Sequence, residues 1–197
     1  MKKVVKFGGS SLASAGQFKK AARIVRADKT RIYVVPSAPG KRFSSDTKVT
    51  DMLYGCYGAA IREKDFTEQL EAIKARYQEI IDGLKLSMSL EDEFKTIREN
   101  FGKKIGRDYA ASRGEYLNGK IMAAYLGFEF IDAAEVIRFD KEKVFDDETT
   151  NTLLAERLRN SSGAVIPGFY GAMEDGTIVT FSRGGSDITG SLVALAV

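Results

Sequence analysis

The sequence predicts an α/β fold, helices packed around a mostly parallel sheet, and three observations carry this. Short β-prone runs alternate with helical runs, beginning with Val4–Phe7, a helix and Arg31–Val35, a strand–helix–strand order that implies a parallel pair. A strand that breaks into two glycines and then enters a helix occurs twice, at Gly8-Gly9 and at Gly184-Gly185. Between these devices lies a long region of helical periodicity that can cover such a sheet.

The elements follow in order. Val4-Val5-Lys6-Phe7 is the first strand, Gly8-Gly9-Ser10-Ser11 the turn, and a helical run starts near Ala15. Over Gln17–Ala27, Phe18, Ala21, Ala22, Ile24 and Val25 form its apolar stripe. Arg31–Val35 is a strand closed by Pro36-Ser37-Ala38-Pro39-Gly40. Lys41–Lys48 is polar, has no apolar period and reads as a mobile loop. Helices are expected over 50–62, 66–84, 90–101 and 109–126, the last capped by Gly127. Strands are expected at 129–132 and 136–139, a helix at 149–160 and a buried strand at 164–167. Glu174-Asp175-Gly176 turns a hairpin between 169–173 and 177–181, and an apolar helix runs from Ile188 to Val197.

Composition narrows the chemistry. The 197 residues suffice for one core, or a core with a small lobe. A formal net charge of +3, spread along the chain, does not argue for nucleic acid. No apolar run is long enough for a bilayer, so no membrane partner is expected, and Lys6 interrupts the opening Met1–Val5 run before it could resemble a leader. Cys56 is the only cysteine. It lies in an apolar helical stretch, which suggests a core position and a reducing cytoplasm. The absence of histidine removes His-based triads and His-ligated metals. Lys, Arg, Asp, Glu, hydroxyls and backbone N–H groups remain.

The two glycine turns are the places where such groups make a site. Glycines let backbone N–H groups approach an anion, and a helix N-terminus adds partial positive charge. Lys6, at the end of its strand, can reach an anion held there. The lysine precedes the glycines, so this is not a Walker loop. Taken alone, a Gly-Gly turn is a tight connection, Lys6 a solvated strand end, Asp187 a helix N-cap and Glu115 an exposed helix glutamate.

Taken together, Lys6-Phe7-Gly8-Gly9-Ser10-Ser11, Ser112-Arg113-Gly114-Glu115, Gly168-Phe169 and Arg183-Gly184-Gly185-Ser186-Asp187 resemble, in order, the motifs of the amino-acid kinase family. Within it, the Phe7-bearing first motif and the Glu115 motif point to the aspartate kinases. The resemblance implies a three-layer α/β/α sandwich with ligands at the carboxyl ends of the strands. It also implies transfer of the ATP γ-phosphoryl group to the side-chain carboxylate of L-aspartate, the first step of lysine, threonine and methionine biosynthesis, with ATP and Mg²⁺ as cofactors. In that reading Lys6 and Asp187 are catalytic. Lys6, Gly8, Gly9, Ser10, Gly184 and Gly185 contact the phosphates. Arg183 clamps the substrate α-carboxylate, Glu115 takes its amino group, and Ser37, Thr50, Phe169 and Asp187 line the substrate site, with Ala38 beside them. No side-chain metal site is assigned, and a homo-oligomer stays open.

The chain departs from the family pattern at Pro39–Lys48, where a shorter serine–alanine–glycine stretch is usual. It also closes within an apolar helix at Leu195-Ala196-Val197. The resemblance therefore implies a sandwich truncated at its C-terminal end. On this reading, residues 1–197 are the N-terminal, amino-acid-binding part of the catalytic domain, without the nucleotide-binding remainder or regulatory domains, and inactive alone. The alternatives are an acetylglutamate, glutamate 5- or uridylate kinase of the same family, or a non-catalytic amino-acid-binding fragment.

Overall fold

The computed structural model describes residues 2–197; Met1, the first residue of the opening run, lies outside them. The strands are β1 (Lys3–Phe7), β2 (Arg31–Pro36), β3 (Glu129–Phe130), β4 (Arg138–Phe139), β5 (Phe145–Asp146), β6 (Ala164–Val165), β7 (Tyr170–Ala172) and β8 (Ile178–Thr180). The α-helices are α1 (Ala15–Arg26), α2 (Val49–Ile61), α3 (Thr67–Leu84), α4 (Glu91–Gly102), α5 (Arg107–Leu126), α6 (Ala133–Val136), α7 (Asp147–Leu158) and α8 (Gly185–Ala196).

The strands form two four-stranded sheets rather than one. The first is wholly parallel, in the order β1-β2-β6-β3. The second is mixed, in the order β5-β4-β7-β8, with β4 and β7 parallel and the other two pairs antiparallel. Side chains alternate across β2 and both faces are covered. Val34 enters a core with Leu12, Phe18, Leu53, Ile73 and Leu117, whereas Tyr33 and Val35 enter one with Ile166, Tyr170, Leu154 and Val193. Helices therefore lie on both faces, the three-layer arrangement expected. Each fully buried Leu, Ile or Val contributes about 1.5–3 kcal/mol of transfer free energy, so these two apolar layers hold the sheet between them.

Register brings the strand ends together. Phe7 lies opposite Pro36, and Val34 opposite Val165. Past the strands the bonding continues, with Ser37 N–H donating to the Phe7 carbonyl at 3.0 Å and Gly168 N–H to the Pro36 carbonyl at 3.1 Å. The turns at Gly8, Ser37 and Gly168 thus open side by side at the carboxyl edge.

Several expected boundaries shift for local reasons. The strand at 129–132 stops at Phe130 because Asp132 turns to cap α6, its Oδ1 accepting from Ala134 N–H at 3.0 Å. That cap also replaces most of the expected 136–139 strand with a helical turn. Strand β5, not foreseen, folds back on β4 beyond a turn in which Asp140 accepts from Glu142 and Val144 N–H. The last helix starts at Gly185, not Ile188, so the second glycine pair supplies its N-cap and its first residue. The first glycine pair leads into one 3-10 turn, Gly9–Leu12, before Ser14 caps α1. The 169–173/177–181 hairpin is present as β7–β8, turning at Gly176 with φ of +85°. Cys56 is buried, as expected, and burial raises its thiol pKa to about 11.

Lys41–Lys48, expected as a mobile loop, is tied down. The Asp46 carboxylate accepts from Arg42 Nε at 2.9 Å and pairs with Arg76 Nη2 of α3 at 3.0 Å. These cations hold the Asp46 carboxyl well below the usual carboxylate range. No helix of the described residues is long and apolar enough to cross a membrane.

Candidate active site

The two glycine turns, at opposite ends of the chain, meet at the carboxyl edge of the parallel sheet. Lys6 Nζ pairs with Asp187 Oδ1 at 2.8 Å. Asp187 does not cap α8, since Gly184 occupies that position with φ of +60°; it lies in the first helical turn with its side chain 71% exposed. An ion pair this open adds only about 0–1 kcal/mol to stability, so stability does not explain a lysine at that place.

Gly8 and Gly9 serve different needs. Gly8 has an ordinary extended backbone, and a Cβ placed on it would have Lys6 Nζ as its nearest neighbour, 3.9 Å away. Its value is the open space beside the ammonium. A Cβ on Gly9 would lie 2.7 Å from the Ala38 carbonyl oxygen and 3.0 Å from Gly40 N, so glycine is required for the two backbones to touch. Ser10 is exposed, with its backbone nitrogen against Gly40. Gly184 is exposed at the α8 N-terminus, whereas Gly185 packs beneath Phe169.

Ser37 joins the halves of the site. Its Oγ donates to Ser186 Oγ at 2.9 Å, and its carbonyl accepts from Asn118 Nδ2 at 2.6 Å. Phe169 holds φ of +83°, a left-handed conformation unusual for so bulky a residue. Its N–H donates to Thr189 Oγ1 at 3.2 Å, and its carbonyl accepts from Phe181 N–H at 2.9 Å. Backbone strain of this kind costs about 1–3 kcal/mol and collects at ligand sites.

Glu115 is not the exposed glutamate that its charged neighbourhood suggested. Helix α5 is the central helix, and Glu115 is 6% exposed, with Oε2 buried and unpartnered. Burial pushes its pKa up to about 7, offset in part by the Ala38 backbone N–H. Gly114 makes the close approach possible, as a Cβ there would lie 2.8 Å from Ala38 Cβ and 3.7 Å from Thr50 Oγ1. Arg113 turns away into a cage of Tyr109, Tyr116 and Tyr170, 4.3–5.5 Å from the ring centres. Its place is packing, with Ser112 Oγ accepting its Nε–H at 3.1 Å.

Arg183 is exposed and forms no ion pair among the described residues, and the buried Glu115 Oε2 has no partner. The remaining candidates converge. Two neighbours escaped the sequence reading. Asn118 shares the Glu115 face of α5 at i+3, and its Oδ1 is likewise buried without a partner. Thr189, one turn beyond Gly185, holds the Gly185 carbonyl at 3.0 Å. Helical spacing from Glu115 and Gly185 was the available signal for both.

Glu115 makes stability pH-dependent. Its folded pKa lies above the ordinary glutamate value, so between about pH 4.5 and 7 the native state binds the extra proton. Stability should therefore fall as pH rises through this window, by up to about 3 kcal/mol, and level off above it. In urea unfolding at pH 5 and pH 8, Glu115→Gln should remove most of this difference. An unchanged difference would show that Glu115 is not its source.

The amino acid kinase family profile matches residues 1–197, and the chain belongs to that family. The similarity extends to aspartate kinases. Aspartokinase 3 of Bacillus subtilis (strain 168) is 40% identical over 206 residues, covering 98% of this chain and 45% of the relative. A crystal structure of the Clostridium acetobutylicum aspartate kinase superposes with a TM-score of 0.96 at 47% identity, covering 100% of this chain and 46% of that one. The E. coli aspartokinase III structure with aspartate and ADP shares the fold, with a TM-score of 0.82 at 24% identity, over 100% of this chain and 47% of that one. The chain spans about half the length of the relatives it matches.

Proposed function

We propose that residues 1–197 form the amino-acid-binding part of an ATP-dependent aspartate kinase. The observation that carries this reading is the Lys6–Asp187 pair, set between two glycine turns at the sheet edge with the buried Glu115 carboxylate nearby. Family membership and the aspartate kinase relatives support it.

The aspartate side-chain carboxylate is already ionised at neutral pH, so the reaction needs no general base. The obstacle is charge, because a carboxylate must approach a polyanion. Lys6 supplies the cation at the transferring phosphoryl group. Gly8, Gly9, Ser10, Gly184 and Gly185 offer backbone and hydroxyl donors to phosphate oxygens. Asp187 orients Lys6. Arg183, which forms no ion pair among the described residues, forks onto the substrate α-carboxylate, and Glu115, aided by Asn118, accepts its ammonium. Ser37, Thr50 and Phe169 complete the wall.

The described residues hold no cluster of three acidic, histidine or cysteine ligands. Mg²⁺ would arrive with the nucleotide, and Asp187, the carboxylate paired with Lys6, would lie beside it. Bound in that way, Mg²⁺ would supply neutralisation of phosphate charge.

The test is ADP formation by the full-length polypeptide with L-aspartate, compared with glutamate, acetylglutamate and uridylate. Aspartate alone should support turnover, and the half-length chain by itself should not. Arg183→Ala should weaken aspartate by about 1.5–3 kcal/mol, the range for a charge-assisted hydrogen bond, and leave the KM for ATP nearly unchanged. A change confined to the KM for ATP would remove Arg183 from the amino-acid site.

A further inference from the structure

Arg76 belongs to none of the motifs. It lies on α3 inside the apolar stripe of Ile73, Tyr77 and Ile80 and is 3% exposed. One guanidinium serves three oxygens of a single segment. Nη2 pairs with Asp46 and donates to the Gly40 carbonyl, and Nη1 donates to the Thr47 carbonyl. Asp46 already accepts from Arg42 through Nε, Nη2 and the backbone N–H. Neutralising Asp46 therefore does not require Arg76. What Arg76 alone supplies is the hold on the two carbonyls.

Gly40 leads directly to the first glycine turn. Its N–H donates to the Gly9 carbonyl at 2.8 Å, and a Cβ placed on it would lie 2.7 Å from Gly9 C and 2.8 Å from Ser10 N. No side chain intervenes between these backbones, so a shift of Gly40 is passed to Gly9 and Ser10 undamped.

We propose that Arg76 is a positioning residue that, through Gly40, sets the place of the Gly9–Ser10 backbone that receives phosphate. The phosphate role rests on the function proposed above; the placement of Gly40 does not. A planar five-donor group can span three oxygens, and a lysine ammonium cannot.

Amide exchange measured by NMR on the 197-residue chain tests the placement. Arg76→Lys keeps a charge beside Asp46 and should keep the melting temperature within about 3 °C. Exchange of the Gly40 amide should nevertheless accelerate about tenfold or more, while core amides of α5 and β2 keep their rates. Arg76→Gln, read in the same way, serves if the lysine variant folds poorly. Unchanged Gly40 exchange, or equal acceleration at every amide, would overturn the proposal. In the full-length kinase, Arg76→Lys should lower kcat/KM for ATP by up to about 10²-fold, the scale of a small misplacement, with the KM for aspartate within about twofold. A loss falling on aspartate instead would overturn it as well. If the unaltered protein phosphorylates no carboxylate, the proposed function fails, and the exchange result alone decides the place of Arg76.

Discussion

Lys6→Met is expected to lower kcat for aspartate phosphorylation about 10²- to 10³-fold, the usual loss for one preorganised charge-stabilising donor. Methionine fills similar volume without charge. The lost partner is an Asp187 carboxylate that is largely exposed to water, so stability should change by less than about 1 kcal/mol. Aspartate affinity should hold, because the role proposed for Lys6 is at the phosphoryl group. The variant thus separates catalysis from folding. Steady-state kinetics of the full-length polypeptide, with a melting curve beside them, check this. A variant with half the normal turnover would remove Lys6 from the mechanism.

Gly9→Ala should have the second largest effect, for a different reason. Its new methyl group would sit 2.7 Å from the Ala38 carbonyl oxygen and 3.0 Å from Gly40 N, both backbone atoms that cannot rotate away. Overpacking of this kind costs about 1–3 kcal/mol, or roughly 2–4 °C of melting temperature per kcal/mol in a chain of this size. The turns at Gly9 and Gly40 would separate, and the phosphate contacts proposed for them would fail. Gly8→Ala is the control, since the nearest atom to its Cβ is 3.9 Å away. A melting curve should show Gly8→Ala close to the unaltered protein and Gly9→Ala well below it. Equal melting temperatures would mean that the Gly9–Gly40 contact is not a constraint.

The sequence made legible what depends on local chemistry. A strand that breaks into glycines and enters a helix can be read without knowing the fold, so the Lys6 and Arg183–Asp187 regions were both found. Long helices with full apolar stripes, such as α3 with Leu70, Ile73, Tyr77 and Ile80, were visible for the same reason. What escaped depends on distant contacts. Strand β5 is two residues long, too short for a period, and exists because β4 completes its ladder. Between β6 of the first sheet and β7 of the second the chain passes through Phe169, whose left-handed backbone no propensity would assign to phenylalanine.

Two residues mark the boundary between these cases. Glu115 could be placed on a helix, but its burial follows from packing against the Ala38 backbone, which only the fold supplies. Arg76 left a trace, a charge inside an apolar stripe, yet its partners Gly40, Asp46 and Thr47 lie about thirty residues away along the chain. A charge at such a position signals a polar partner across the interface, because an unpaired buried charge is costly.

Calorimetric titration of L-aspartate into the 197-residue chain asks whether these residues by themselves hold the amino-acid substrate. The expected result is saturable, one-site binding with a Kd of about 1 mM or tighter, equivalent to about −4 kcal/mol or better. An ammonium beside Glu115 favours its ionised form, so binding near pH 6 should release a proton to buffer and binding near pH 8 should not. Absence of saturable heat at about ten times that concentration, or equal binding of glutamate, would contradict the account.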